Sequence, residues 1–218
     1  MYGFLDQVKA IDWVRANIEK FGGDPDNITI AGESAGSSSV NAMCTSPLAK
    51  GKFKYAISES SSITAKKPPH SYMDIKTAIK QGKSLRDELG AKKPKDLRKI
   101  SAEDIANTNT KYGTLNAMTN DGYALTKSPY ESYMAGENNE KALLTGYNKE
   151  DGDFFLLLES KTDKDNYEAK IKKLYPKGYE EILKLYPAKT DEEAVKNFKI
   201  IYNAGTFGYG HDVWSRLA

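Results

Sequence analysis

Residues 28–45 constrain the fold more than any other stretch of the chain. Ile28-Thr29-Ile30-Ala31 is a short, β-branched apolar run that reads as a buried strand. Gly32-Glu33-Ser34-Ala35-Gly36 cuts it off, and a small-residue segment to about Thr45 reads as a helix. Five residues between a strand and a helix leave room for one sharp turn, with Ser34 in its strained position and Gly32 and Gly36 small enough for the helix to come close. A serine placed there stands at a helix N-terminus. The Ala35 N–H then points to where an anionic tetrahedral intermediate would carry its charge, and the helix dipole acts in the same direction. A serine in a Gly-rich turn with no chemistry is the alternative for the bare five-residue pattern. The strand before it and the helix after it favour a nucleophile.

The flanking sequence has the same α/β grammar. Phe4, Val8, Ile11, Val14, Ile18 and Phe21 recur at three- and four-residue steps, which predicts one helical face over 4–21, stopped by Gly22-Gly23. Further short strands are predicted at Tyr55-Ala56-Ile57-Ser58 and at 142–146, and all three strands fit one largely parallel sheet. Between the second and third strands, residues 63–120 are polar and Lys-rich, with helical periodicity at Ile75, Ile79, Leu85 and Leu89. They read as a helical excursion within one domain of 1–218. Helical pattern returns after Asp151: at Phe154, Phe155 and Leu158, over Tyr167–Tyr186 with a break at Pro176, and over Glu192–Tyr202.

Composition excludes several classes of partner. The 32 Lys and Arg residues against 30 Asp and Glu leave a net charge of +2, spread in short mixed runs. The basic groups at Lys66-Lys67 and Lys92-Lys93-Lys95 lack interleaved aromatics, so they read as solvated surface and no nucleic-acid partner is expected. One cysteine, Cys44, permits no intrachain disulfide and no thiolate metal cluster. A serine mechanism needs only proton transfer and charge stabilisation, so no metal or organic cofactor is expected. No stretch is long and apolar enough for a membrane span. The first residues, MYGFLDQVKAIDW, place polar groups where a signal peptide needs an unbroken apolar region.

A serine hydroxyl is a poor nucleophile at neutral pH, so the site also needs a histidine base and a carboxylate to orient it. The acidic turn Tyr147-Asn148-Lys149-Glu150-Asp151-Gly152 follows the third strand, at the C-terminal end where catalytic groups collect in open α/β sheets. An ordinary solvated turn is the competing reading. The sequence has two histidines. His70 precedes the acid and reads as a surface-loop residue. His211 follows it, but with no strand before it and at the apparent start of a helix over 212–217, a poor context for a base.

Together these residues carry a resemblance. GFLDQVKAIDWVRANIEKFGGDPDNITIAGESAG resembles the segment around the nucleophile in type-B carboxylesterases, the α/β-hydrolase family of p-nitrobenzyl esterases and cholinesterases. The likeness continues through Phe53–Ser60, where the family has a strand ending in Gln-Ser-Gly, and through Asn120-Asp121-Gly122. It resumes at 144–155, which resembles the stretch bearing the triad acid. Most members have Asp-Glu-Gly there; here the pair is reversed to Glu150-Asp151, and alignment on the glycine places Asp151 at the acid position, with Glu150 as the fallback.

The resemblance implies a partial α/β-hydrolase fold and a carboxylic ester hydrolase acting on a small-molecule ester. Ser34 is the nucleophile and Ala35 N–H an oxyanion donor. Glu33 matches a buried family glutamate that tunes the electrostatics, and Ser60 a serine beside the acid. It also implies that the Gly-rich oxyanion loop lies upstream of these residues and the catalytic histidine downstream, so that the chain is an internal portion that hydrolyses little alone. Exposed sheet edges and self-association would follow. The family is often secreted, so a secreted or periplasmic parent is one expectation and the location stays open. A non-catalytic cholinesterase-like adhesion module is the competing class, against which the retained Ser34 argues.

Overall fold

The computed structural model describes residues 1–66, 73–110, 118–157 and 160–218; His70 lies outside them. At its centre is a three-stranded parallel sheet in the order β1 (Thr29–Glu33), β2 (Tyr55–Glu59), β5 (Ala142–Gly146). Thr29 is in register with Tyr55 and Tyr55 with Ala142, while Glu33 is in register with Glu59 and Glu59 with Gly146. The three strands therefore end level. The expected parallel sheet is present, but β1 is its edge and alternates between exposed and half-buried residues, so it is not the buried strand that its apolar composition predicts.

Helix α1 (Tyr2–Asn17) buries Phe4, Val8 and Ile11. The predicted stripe then ends early. Ile18–Phe21 tightens into a 3-10 turn, which rotates later positions off the apolar face and leaves Phe21 73% exposed. Gly22, at φ 82°, closes the segment in the left-handed conformation that glycine adopts without strain. Helix α2 (Ala35–Thr45) packs across β1 and β2.

In the excursion, α3 (Ile75–Glu88) is capped by Asp74, whose carboxylate accepts the N–H groups of Lys76 and Thr77, and α4 (Ala102–Asn109) is capped by Ser101. A two-residue parallel pair, β3 (Met73–Asp74) with β4 (Thr119–Asn120), joins the ends of the excursion. It is too short to leave a periodicity in the sequence.

Helix α5 (Pro129–Met134) begins with a capping box between Ser128 and Glu131, and the one-turn α6 (Asp153–Leu156) follows the acidic turn. Helices α7 (Tyr167–Leu174) and α8 (Tyr179–Leu185) flank Pro176, and with α9 (Asp191–Asn203) they enclose a second apolar cluster of Tyr167, Ile171, Ala194, Phe198 and Ile201. A π-helical segment, Ala204–Gly208, carries α9 directly into α10 (Tyr209–Leu217). His211 is thus inside a helix that starts three residues earlier than the sequence suggests, and it is buried. Trp214, fully buried, brings α10 into the main core with Val40, Met43 and Cys44 of α2, Tyr133 of α5 and Phe4, Val8 and Ile11 of α1.

Two predictions follow from this packing. A Cβ on Gly32 would lie 2.3 Å from the Gly36 carbonyl, whereas one on Gly36 meets nothing within 4 Å. Gly32→Ala should therefore cost about 3 kcal/mol in urea unfolding, and Gly36→Ala should be neutral or stabilising by about 0.5–1 kcal/mol. Burial pushes the His211 imidazole below its ordinary value, only partly opposed by the Asp151 carboxylate. The folded state thus binds this proton less readily than the unfolded chain does. Stability is present in full above the unfolded pKa of about 6.5 and falls as pH drops through the folded one. Unfolding midpoints at about pH 7.5 and about pH 5.5 should differ in the parent chain, and the difference should shrink in His211→Gln.

Candidate active site

The turn after β1 has the conformation its residues predict. Ser34 sits at φ 52°, ψ −116°, a region that side-chain-bearing residues rarely enter, and α2 starts at the next residue. Such strain persists only where surrounding contacts over-determine it. The Ser34 N–H donates to Glu59 O at 2.9 Å, extending the β1–β2 ladder one residue past the strand. Behind it, the Ser37 hydroxyl is buried, 2.5 Å from the Ser58 hydroxyl and bonded to the Ser61 carbonyl. One turn on, the Asn41 amide donates to Thr64 Oγ1 at 2.7 Å and accepts the Ile63 N–H at 2.8 Å. Helix α2 is thereby stitched to the segment after β2 by buried polar groups. The side chain of Ser34 is exposed.

The end of β2 repeats the device. Ser60 also has a positive φ, 61°, and its N–H donates to Gly146 O at 2.8 Å. The resulting kink aims its hydroxyl at Asp151 Oδ2, 2.7 Å away. Asp151 further accepts the Asn148 N–H at 2.7 Å and the Asn148 side-chain amide at 2.9 Å. Partial burial pushes this carboxyl up. The bonds from Ser60 and Asn148, with a smaller contribution from His211, outweigh that and hold it below the usual aspartate value, so it is ionised at neutral pH. Among the described residues Glu150 takes no part in this set. It faces an open hollow of about 660 Å³ shared with Asp153 of α6 and Lys196 and Lys199 of α9.

Between the level strand ends lies a smaller hollow of about 310 Å³, lined by Glu33, Ser58, Glu59, Ser60, Thr145 and Asn148. Glu33 is exposed, because β1 has a neighbour on one side only, and this differs from the buried glutamate that the family resemblance implies. His211 lies beneath the acidic turn. Its Nδ1 is 2.5 Å from Thr145 Oγ1, its ring stacks on Tyr147 at 5.8 Å, and its buried Nε2 has no hydrogen-bond partner among the described residues. The arrangement thus groups an exposed serine on a strained turn, a helix N-terminus and an ionised, hydrogen-bonded carboxylate along one sheet end.

Sequence reasoning passed over three residues that build this region. Asn148 could have been found, since an asparagine three residues before an aspartate is a natural turn partner. Ser37 was visible only as a small residue. Asn203, 51 residues beyond Gly152 yet bonded to its N–H, left no local signal. Among the described residues no helix is long and apolar enough to cross a membrane, and no three His, Cys, Asp or Glu side chains are grouped to hold a metal ion.

Comparison with known proteins gives the family and the fold. The sequence profile of the carboxylesterase family matches residues 2–206. Cholinesterase 1 of Branchiostoma lanceolatum is 32% identical over 173 residues, 71% of this chain and 48% of that protein. Para-nitrobenzyl esterase of Bacillus subtilis (strain 168) is 30% identical over 197 residues, 88% of this chain and 40% of that protein. Among solved structures, a carboxylesterase of Geobacillus stearothermophilus superposes with a TM-score of 0.80 at 27% identity, over 99% of this chain and 46% of that one. A PNB esterase superposes with a TM-score of 0.74 at 27% identity, over 97% and 46%. The chain spans less than half the length of these proteins. It belongs to the carboxylesterase family and has the α/β-hydrolase fold.

Proposed function

We propose that these residues carry the nucleophile and the acid of a carboxylic ester hydrolase. The observation that supports this most directly is an exposed Ser34 at positive φ and an ionised Asp151 held by Ser60 and Asn148 at the same end of one parallel sheet, after its two outer strands. In this reading Ser34 Oγ attacks the acyl carbon of a small-molecule ester while a histidine takes its proton. Asp151 fixes that histidine's tautomer and orientation, and the Ala35 N–H at the start of α2 donates to the oxyanion. Collapse of the tetrahedral intermediate breaks the acyl–oxygen bond. The histidine passes its proton to the departing alcohol and leaves an acyl-Ser34, which water attacks in the same manner. Glu33 adjoins the nucleophile but is exposed here, so solvent screens its charge.

The histidine in this scheme is not His211, whose Nδ1 is engaged by Thr145 and whose Nε2 is enclosed. It is supplied by chain outside these residues, as is the remainder of the oxyanion hole. Residues 1–218 then form the central part of one α/β-hydrolase domain, with 63–120 as a helical excursion. The outer edges of β1 and β5 would be covered by further strands or, without them, by self-association.

Exposure to a fluorophosphonate followed by intact-mass analysis tests the reading, with Ser34→Ala as the control. Slow or absent labelling of these residues alone, and fast labelling confined to Ser34 once the downstream sequence of a relative is joined to them, is the expected result. Absence of labelling in both, with both folded, would overturn it in favour of a non-catalytic binding module.

A further inference from the structure

The π-helical segment between α9 and α10 has a geometric consequence. Asn203 and His211 are eight residues apart, which on a regular α-helix sets them ~80° from each other. One π-bulge absorbs an extra residue, ~100° of rotation, and returns the two side chains to the same face. That face meets the acidic turn. Asn203, 7% exposed, accepts the Gly152 N–H at 3.0 Å and donates its amide to the carbonyls of Lys149, at 2.8 Å, and Asn148, at 3.3 Å. His211 supports the other end of the turn through Thr145 and the ring of Tyr147.

The bulge itself is secured by Tyr175, the residue after α7. Its hydroxyl donates to Ile201 O at 3.3 Å and occupies the space of a Cβ on Gly205, which would lie 1.7 Å from the Tyr175 hydroxyl oxygen. Gly152 is equally constrained, since a Cβ there would approach the Tyr202 ring to 2.8 Å. The acidic turn therefore rests directly on the end of α9, with three of its backbone polar groups satisfied by one buried side chain.

We propose that Asn203 is the positioning residue of the acid loop: it fixes the backbone on both sides of Asp151 so that the Asn148 N–H and the Ser60 hydroxyl converge on one carboxylate. The proposal deepens the esterase reading and rests on Asp151 as the acid of that site. Asparagine suits the place because both an acceptor and a donor are needed there. An aspartate could still accept from Gly152 but would face the Asn148 and Lys149 carbonyls with no proton to give. A leucine of similar size would strand the Gly152 N–H and the Lys149 carbonyl and leave the Asn148 carbonyl with the Asp151 N–H alone.

The test is made on the 218-residue chain by carboxyl ¹³C titration and amide hydrogen exchange. Asp121 serves as the internal reference, because its carboxylate is held by the N–H groups of Tyr123, Ala124 and Leu125, away from the acid loop. In Asn203→Leu the Gly152 amide should exchange at least about tenfold faster. The Asp151 midpoint should also rise by roughly half a unit or more while Asp121 stays put. Asn203→Ala, which removes the same three bonds and adds neither charge nor bulk, should show both changes, and this variant decides if the leucine variant does not fold. An Asp151 midpoint unchanged in a folded variant, or one that moves together with Asp121, would overturn the proposal. Fluorophosphonate labelling of the parent reports on the esterase reading separately. Its failure beside a shifted Asp151 would leave the positioning role standing without the chemistry.

Discussion

The level ending of three parallel strands is the constraint on which the rest depends. With Glu33, Glu59 and Gly146 in register, the next residue of each strand must leave the sheet at the same height. The chain does so twice by the same means: a serine at positive φ whose N–H still bonds to the neighbouring strand, Ser34 to Glu59 and Ser60 to Gly146. Each such residue costs on the order of 1–3 kcal/mol. The ladder bond at each step and the buried polar contacts of Ser37, Asn41 and Ser58 offset that cost by about 1 kcal/mol apiece. A slip of one residue between β2 and β5 would turn Ser60 away from Asp151 and leave both without their partner. Register and site are one property here.

Much of this is legible in the amino-acid order because it is local. A β-branched run meeting Gly-Glu-Ser-Ala-Gly and then small helical residues has few ways to fold, and the bounds of β2, α2 and β5 lie close to where side-chain patterning puts them. The glycines divide unequally in a way that spacing does not reveal: Gly32 has no room for a methyl group and Gly36 has ample room. Other departures come from tertiary context. Phe21 fits a helical stripe on paper, yet a 3-10 turn carries it into solvent, and Ile28 to Ala31 read as buried although β1 is an edge strand. The clamp on the acid loop was invisible, because Asn203 meets Gly152 only where the end of α9 packs on the acidic turn, a tertiary contact that no local pattern announces.

In the proposed site the acid is the shorter carboxylate, Asp151 of the Glu150-Asp151 pair, and a shorter acid depends more on such a support. An aspartate has one fewer methylene than a glutamate, so its carboxylate reaches less far from the backbone and depends more on where the backbone lies. The sheet end supplies one fixed point in Ser60, the turn supplies a second in Asn148, and the helix end supplies the third in Asn203. Only the first two touch the carboxylate. The third acts on the Asn148, Lys149 and Gly152 peptide groups around Asp151, and its bond to Gly152, being buried, is screened little by solvent. Ionisation of Asp151 at neutral pH therefore rests on directed hydrogen bonds more than on a neighbouring cation, and a carboxylate held in that way keeps a defined direction as well as its charge. Direction is what an acid needs in order to select one tautomer and one ring orientation in a histidine.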